Sequence, residues 1–367
     1  MYDQELKALQ KANRYRQRVV WDEELRDFAS NDYLGLASSK KSLKKATKKL
    51  LSYKDISPKA SMLVNGYHPI HQKFEKTLAK ANGFEDAILV GSGFLANISL
   101  IESLVRKKDM LFIDSEYHAS GVLATHLIDD RVVVFEHNNP QDLQHKLQTI
   151  SYKRAIIAIE GVYSMSGAIC DREIFDIADS YNALLIVDEA HSAGVVGDKL
   201  LGVYDYYGID IKPNHIKMGT LGKAYGSYGA YILASKEIVA FLQNRAKPII
   251  YSTAPSLIDV SLALVNFKHI NKNLYKYHKK KSKILSIIKQ ELYIDTQSLI
   301  IPIQMRDNQS ALSMQQRLLK SGYLVGAIRQ PTVQKPILRV IPNLSHKPKE
   351  LKKLLYLIKY AKIEQKF

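Results

Sequence analysis

The 367-residue sequence has a single cysteine, Cys170, a single tryptophan and no long apolar run. One cysteine excludes a disulfide within the chain, as is usual in a reducing compartment. No stretch approaches the roughly 18 apolar residues that a membrane-spanning helix needs. The first residues, Met1–Lys7, are charged and lack the apolar segment of a secretory signal. We therefore expect a globular protein of the cytoplasm with no membrane segment.

Acidic residues are scarce: Asp and Glu number 36 against 53 Lys and Arg, which gives a net charge of +17. A basic domain attracts the phosphates of nucleic acids. The lysines, however, cluster in Lys40–Lys45 and Tyr277–Lys283, which resemble solvated helix faces. The sequence also has no helix-turn-helix, zinc-finger or RNA-binding signature. We therefore expect no specific binding of nucleic acid.

Lys223 stands apart from these clusters because it lies in a glycine-rich segment, His215–Ala230. Glycines let the backbone turn tightly and approach a ligand, and Thr220 places a hydroxyl shortly before the amine. A lysine that is partly desolvated there loses its proton more readily and attacks carbonyl groups. From this segment alone, a solvated lysine on a surface loop is an equally good interpretation.

An apolar run, Ala183–Val187, ends in Asp188. Such a run predicts a buried parallel strand, and ligand-binding groups lie at the carboxyl ends of strands in open α/β sheets. A carboxylate near a reactive lysine is the pair that pyridoxal phosphate requires, because the carboxylate keeps the pyridine nitrogen protonated and the ring then accepts electrons. Asp188 and Lys223 together predict this cofactor, and we expect no metal.

Seven segments match, in order, the motifs of one enzyme family. They are Asn31–Leu36, Gly91–Asn97, Glu116–Ser120, Glu160–Met165, Asp188–His191, Thr220–Lys223 and Ala327–Val333. In these motifs the sequence resembles the α-oxoamine synthases, which are fold-type I pyridoxal-phosphate enzymes, from about Asn31 to about His346. The resemblance implies an α/β fold, with a large domain built on a mainly parallel sheet between helices and a smaller α+β C-terminal domain.

The apolar runs agree with this fold class, because helical patterns separate five predicted strands. The strands are Ala87–Val90, Met110–Ile113, Val132–Phe135, Ala155–Ile159 and Leu184–Val187. We predict an N-terminal segment over residues 1–40, with a helix over Glu5–Arg18, and a large domain over residues 41–255. A linker helix over Ser256–Leu292 and the small domain make up residues 256–367.

The phosphate of the cofactor has a candidate site after the first of these strands. Gly91, Ser92 and Gly93 precede a predicted helix, and free N–H groups at a helix N-terminus bind phosphate. A simple turn explains this short segment equally well. The resemblance extends the cofactor site to Phe94 and Thr220.

The pyridine ring has candidate partners after three other strands. By resemblance, His118 stacks on the ring, and together with Lys223 and Asp188 it is a predicted catalytic residue. Ser164 is a plausible hydrogen-bond donor to the edge of the cofactor, and His191 is placed to reach the phenolic oxygen.

The resemblance also implies substrate contacts and a second subunit. Arg16 corresponds to an arginine at the acyl-substrate site, although Arg14 and Arg18 lie close by. Asn31 and Arg339 are expected to orient carboxylates, since a guanidinium binds a carboxylate through two parallel hydrogen bonds. Thr253 corresponds to a threonine that reaches the cofactor phosphate of the other subunit, so we expect a homodimer.

Three positions depart from the family pattern. Met62 stands where relatives usually carry arginine, Gln330 replaces a common proline, and Ile341–Pro342 replaces a region usually rich in threonine. These departures concern the contacts with the acyl chain and leave the cofactor site intact.

The resemblance implies a decarboxylative condensation of L-alanine with a pimeloyl thioester, a step of biotin biosynthesis. The donor is a thioester of coenzyme A or of an acyl-carrier protein, and a basic surface suits either one. The rivals glycine C-acetyltransferase and 5-aminolevulinate synthase use glycine, whereas Ile328–Val333 looks like the alanine-using members. A basic binding protein on a degenerate enzyme fold is the alternative from another class. It is disfavoured because every cofactor position carries the required chemistry.

Overall fold

A seven-stranded sheet is the centre of one compact unit, which comprises Leu34–Ser164 and Ala168–Tyr277. The computed structural model describes residues 1–365. The strands of this sheet are β2 (Asp86–Val90), β3 (Met110–Asp114), β4 (Val132–Phe135), β5 (Ala155–Glu160), β6 (Leu184–Asp188), β7 (His215–Thr220) and β8 (Ala230–Ala234). Their order is β2-β8-β7-β6-β5-β3-β4. Strand β8 runs antiparallel to both neighbours, and the other pairs are parallel.

Burial explains why these segments form strands. Every residue of β5 and β8 is buried, as expected for strands that are covered on both faces. Ile156, Ile186 and Ile232 belong to one hydrophobic cluster, which also includes Leu100 of the helix that follows β2. Full burial of such a side chain contributes about 1.5–3 kcal/mol to folding. The sheet is therefore a rigid support for the side chains at its strand ends.

Helices and one π-helical turn connect the strands of this unit. They are α2 (Lys40–Leu50), the π-helical turn (Met62–Gly66), α3 (Pro69–Asn82), α4 (Gly93–Leu104), α5 (Ala119–Thr125), α6 (Pro140–Thr149), α7 (Glu173–Ser180), α8 (Val203–Tyr207), α9 (Lys236–Arg245), α10 (Lys247–Ile250) and α11 (Leu257–Lys272). Side-chain caps fix several starts: Ser92 accepts from the backbone N–H of Leu95, and Ser235 accepts from that of Ile238. Such caps satisfy N–H groups that have no partner within the helix.

The other compact unit comprises Met1–Tyr33, Met165–Gly167 and the chain from His278 onward, and it contains a four-stranded sheet. Its strands are β1 (Arg26–Phe28), β9 (Ile301–Gln304), β10 (Tyr323–Ile328) and β11 (Ile337–Val340), in the order β1-β10-β11-β9. Strand β1 runs parallel to β10, and the remaining pairs are antiparallel. Its helices are α1 (Asp3–Lys11), α13 (Asn308–Lys320) and α14 (Pro348–Gln365), and the unit boundary falls within α12 (Leu274–Leu292).

Two predicted helices differ from their expected extent, one by ending early and one by being interrupted. The N-terminal helix stops at Lys11 instead of Arg18, because Asn13 takes a left-handed φ of 53° and the N–H groups of Arg14 and Tyr15 turn back to the carbonyl of Leu9. The linker helix is interrupted at Asn273, whose side chain donates to the carbonyl of His269 (2.7 Å). Asparagine competes with helical hydrogen bonds in this way, so α11 and α12 are separate helices.

The predicted α/β fold class, with a mainly parallel sheet and helices, is confirmed. Each of the five strands predicted for the large sheet is present within one residue of its expected bounds, and the other two strands of that sheet, β7 and β8, were not predicted. The compact units do not by themselves set domain boundaries, so the division near residues 40 and 255 stays a prediction. Among residues 1–365, none of the helices has the length and apolar character needed to cross a membrane.

Candidate active site

Lys223 lies in the turn between β7 and β8, where it is half-buried. Its Nζ is 2.6 Å from Nε2 of His191. The turn is closed by the N–H of Gly226, which donates to the carbonyl of Lys223 (2.9 Å). Gly226 has a φ of +55°, and a Cβ there would lie 2.7 Å from the backbone of Leu36. Only glycine meets both conditions without strain, so the glycine-rich sequence fixes the position of the lysine.

Asp188 is the last residue of β6 and is buried. Its Oδ1 accepts from the backbone N–H of Ala190 (2.9 Å), and its Oδ2 accepts from Nδ2 of Asn97 on α4 (2.9 Å). The two donors fix the orientation of the side chain, because each oxygen has its own partner. The structure therefore presents a fixed carboxylate at the carboxyl end of the sheet.

His118 caps the N-terminus of α5 and shares Ser120 with Asn97. Nδ1 of His118 lies 2.7 Å from the Ser120 hydroxyl and accepts from the Ser120 backbone N–H (3.2 Å). Burial lowers the pKa of His118, and the charge of Lys223 lowers it further, while Asp188 acts in the opposite direction. The ring is consequently neutral at neutral pH, with its proton on Nε2, because Nδ1 is an acceptor.

Glu160 ends β5 beside Asp188, with which it is in register on the neighbouring strand. Its Oε2 accepts from the backbone N–H of Ser164 (2.9 Å), whereas Oε1 has no hydrogen-bond partner among residues 1–365. Burial raises the pKa of Glu160 well above its usual range, and the charge of Asp188 adds to that effect. Burial therefore favours the neutral form of Glu160, which lies beside Asp188 at the end of the neighbouring strand.

The predicted phosphate segment lies at the start of α4. Ser92 is the N-cap residue, Gly93 begins the helix, and the side chain of Phe94 is 45% exposed. A Cβ built on Gly93 would meet no atom nearer than the Cβ of Thr220, at 3.9 Å. Thr220 donates from its hydroxyl to the carbonyl of Gly229 (3.1 Å) and accepts from the N–H of Gly222 (3.2 Å). The helix start and Thr220 therefore adjoin each other and leave space in front of Gly93.

The predicted substrate residues belong to the other compact unit. Nη1 of Arg339, on β11, donates to Oδ1 of Asn31 (3.0 Å), and Arg339 is 6% exposed. Arg16 is exposed and donates from Nη2 to the Thr332 hydroxyl (3.1 Å). Asn31 and Arg339 are thus neighbours, while Arg16 lies beside the segment that follows β10.

Thr253 lies on an exposed segment before α11, where it forms a β-bridge with Ser61.

Two departures from the family pattern lie on turns: Met62 begins the π-helical turn, and Gln330 donates from Nε2 to the carbonyl of Gln334 (2.8 Å). The N–H of Ile341, the third departure, donates to the carbonyl of Phe28 (2.8 Å).

Sequence reasoning missed Asn97, Ser120 and Glu160 as members of the group around Asp188. All three lie inside the quoted motifs, and each is a polar residue that is at most 1% exposed. The sequence signal that could have found them was Asn97, a lone amide within the apolar segment Phe94–Ile101. A buried polar group needs a partner, which makes such a residue a candidate for a hydrogen-bond network.

The family model for aminotransferases of class I and II matches residues 23–358. The chain belongs to this family. It is similar to 8-amino-7-oxononanoate synthase of Helicobacter pylori (strain ATCC 700392 / 26695), with 45% identity over 370 residues that cover 100% of this chain and 99% of the relative. The resemblance to α-oxoamine synthases is therefore confirmed.

Two solved structures show the same fold. The 8-amino-7-oxononanoate synthase of Francisella tularensis has a TM-score of 0.75 at 27% identity, covering 94% of this chain and 99% of that one. A serine palmitoyltransferase from S. paucimobilis, with bound pyridoxal phosphate and myriocin, has a TM-score of 0.87 at 22% identity. That comparison covers 99% of this chain and 96% of the other, and it concerns the fold alone.

Proposed function

We propose that this enzyme condenses L-alanine with a pimeloyl thioester, releasing carbon dioxide and a free thiol and forming 8-amino-7-oxononanoate for biotin biosynthesis. One observation carries the choice of reaction: the 45% identity to a relative named for this product extends over the whole chain. A cytoplasmic location belongs to the same proposal.

The residues of the site fit pyridoxal phosphate. Lys223 offers an amine to an aldehyde, and Asp188 offers a buried carboxylate to a pyridine nitrogen. The open space before Gly93, at the N-terminus of α4 and beside Thr220, suits a phosphate. Ser92, Phe94, Ser164 and His191 complete the proposed binding set. When bound, the cofactor supplies an aldehyde for the amino group of a substrate and a ring that accepts an electron pair.

The proposed catalytic steps use three groups of the chain. The amine of Lys223 removes the proton from Cα of alanine and later returns a proton to the product. The carboxylate of Asp188 holds the proton on the ring nitrogen throughout, because loss of that proton would remove the electron sink. His118, neutral and held at Nδ1, lies against the ring without adding charge.

The substrate contacts involve different residues. Arg339 is already beside Asn31, so a guanidinium and an amide together offer several donors to a carboxylate. Arg16 is proposed to meet the acyl substrate. The donor is proposed to be drawn by charge, since exposed lysines such as Lys41, Lys45 and Lys268 attract phosphates or an acidic carrier protein.

The proposed reaction is tested by the choice of amino acid. Purified enzyme with pyridoxal phosphate should use L-alanine with a kcat/KM at least roughly 10-fold above those for glycine and L-serine, because one methyl group in a fitted pocket gives about that discrimination. The assay measures product by mass spectrometry, with pimeloyl thioesters of coenzyme A and of an acyl-carrier protein as donors. A preference for glycine would contradict the proposed reaction and indicate another α-oxoamine synthase activity.

A homodimer is also part of the proposal. Large apolar side chains are exposed at the start of α4 and on and just after α5, which is unusual for a free surface. They are Phe94, Val122, Leu123 and Leu127, each between 45% and 54% exposed. A second copy of the chain would cover them, and the exposed Thr253 would then serve the phosphate of the partner subunit.

Mixing two inactive variants tests this arrangement. Heterodimers of Lys223→Ala and Thr253→Ala should regain activity, because one of their two sites combines a wild-type lysine from one subunit with a wild-type threonine from the other. Ser252→Ala, which removes the neighbouring hydroxyl, is the control and should stay active. If verified heterodimers of folded, inactive parents recovered nothing, Thr253 would not act across the interface.

A further inference from the structure

Asn97 lies at the centre of a buried hydrogen-bond network that joins α4, α5 and β6. Its Nδ2 donates to Oδ2 of Asp188 and to the Ser120 hydroxyl, both at 2.9 Å. Its Oδ1 accepts from the Tyr117 hydroxyl at 2.7 Å. Asn97 is 1% exposed, so these contacts are shielded from water. One amide thereby supplies two donors and one acceptor, and each faces a group that needs it.

Through Ser120, the hydrogen bonds of Asn97 also affect His118. Because the Ser120 oxygen accepts from Asn97, its own proton is directed to Nδ1 of His118, 2.7 Å away. The Ser120 backbone N–H also donates to Nδ1. Both bonds require a lone pair on Nδ1, which leaves the ring proton on Nε2.

The acceptor atom of Asn97, Oδ1, is held in place as well. Tyr117 is 4% exposed, and a Cβ at position 121 would overlap its ring, so Gly121 is what lets the tyrosine reach Asn97. With Oδ1 bound to Tyr117, the amide cannot rotate to exchange its oxygen and nitrogen without losing three bonds. Aspartate at position 97 would fill the same space but would set a second carboxylate against Asp188.

We propose that Asn97 is a positioning residue that holds the Asp188 carboxylate and, through Ser120, the His118 ring in one fixed arrangement toward the cofactor. The proposal rests on the function given above, because it assigns Asp188 and His118 to the cofactor. A single amide of α4 thus orients two groups that lie on different elements, Asp188 at the end of β6 and His118 at the start of α5.

The test compares Asn97→Ala, Asn97→Asp and Ser120→Ala with Ser99→Ala. Ser99 lies on the same helix and is equally buried, but its hydroxyl donates to the carbonyl of Leu95 within that helix (2.7 Å). Three quantities are measured on the reconstituted enzyme: kcat with KM for alanine, the dissociation constant of pyridoxal phosphate, and the tautomer of His118 by ¹⁵N NMR. Thermal unfolding checks that each variant is folded.

Asn97→Ala should lower kcat roughly 10- to 100-fold, because a hydrogen bond to a charged group is lost, while KM for alanine changes little. Asn97→Asp should lose at least as much despite its matched shape. Both should weaken cofactor binding, and both should lower the share of the Nε2–H tautomer of His118, although the backbone N–H of residue 120 still favours it. Ser120→Ala should lower that share too but leave cofactor binding closer to wild type, since Asp188 keeps its donor. Ser99→Ala should match wild type in all three quantities.

A folded Asn97→Ala variant with normal kcat, normal cofactor affinity and an unchanged His118 tautomer would overturn the proposal. Additive effects of Asn97→Ala and Ser120→Ala on kcat would also contradict it, because residues in one network are expected to be coupled. If Asn97→Ala does not fold, Ser120→Ala with an unchanged His118 tautomer would be the contradicting result. The measurements of cofactor affinity and of the His118 tautomer need no substrate. They therefore test the positioning role of Asn97 even if the wild-type enzyme makes a different product.

Discussion

Replacing Lys223 with alanine should reduce kcat by at least roughly 1,000-fold, since the variant loses both the amine that binds the cofactor and the base that moves the Cα proton. The effect should be one of chemistry and not of folding, because Lys223 is half-buried at a turn and its amine faces another polar side chain of the site, His191 (2.6 Å). Single-turnover kinetics with alanine and the pimeloyl thioester measure the loss.

The control for this variant is Lys236→Ala, which removes an exposed lysine at the start of α9 in the same compact unit. It should retain wild-type turnover. If Lys223→Ala kept more than a small fraction of wild-type kcat, another group would have to serve as base, and the assignment of Lys223 would be wrong.

The second large effect is expected at Asp188. Asp188→Asn should reduce kcat roughly 100-fold or more, because a neutral amide no longer favours a protonated ring nitrogen and the developing carbanion loses its electrostatic support. Cofactor should still bind through Lys223 and the phosphate site. The fold should lose some stability as well, since both oxygens of Asp188 accept hydrogen bonds and the amide can accept only one of them.

Asp109→Asn is the control that separates the loss of turnover from the loss of stability. Asp109 is a buried carboxylate just before β3, and it pairs with Arg154 (2.7 Å). Its substitution should lower the unfolding temperature while leaving kcat of the folded enzyme unchanged. Near-normal turnover of Asp188→Asn, measured on protein shown to hold cofactor, would contradict the role of Asp188.

Much of the large sheet could be predicted from the sequence because its parallel strands are short apolar runs that end abruptly in polar residues. Asp188 illustrates this, since the same step from Val187 to a carboxylate marks both the end of β6 and the candidate cofactor contact. Strand β7 was missed because Lys217 interrupts its apolar pattern. In the structure Lys217 is 1% exposed, and its Nζ lies 3.6 Å from Oε1 of the buried Glu189.

The contacts that orient the site could not be predicted in the same way. Asn97 and Asp188 are 91 residues apart, and the bond between them depends on how α4 packs against β6. The raised pKa of Glu160 likewise arises from burial beside Asp188, which local sequence does not reveal. Motifs predict the residues that meet the cofactor, but only the packed structure shows which side chains hold those residues in place.

The most direct test of the account is to locate the covalent attachment of the cofactor. Purified enzyme should be yellow with pyridoxal phosphate, and borohydride should convert the bond between cofactor and enzyme into a stable amine. Peptide mass mapping should then find the added mass on the peptide that contains Lys223. Attachment at another lysine, or no coloured complex at all, would contradict the central claim.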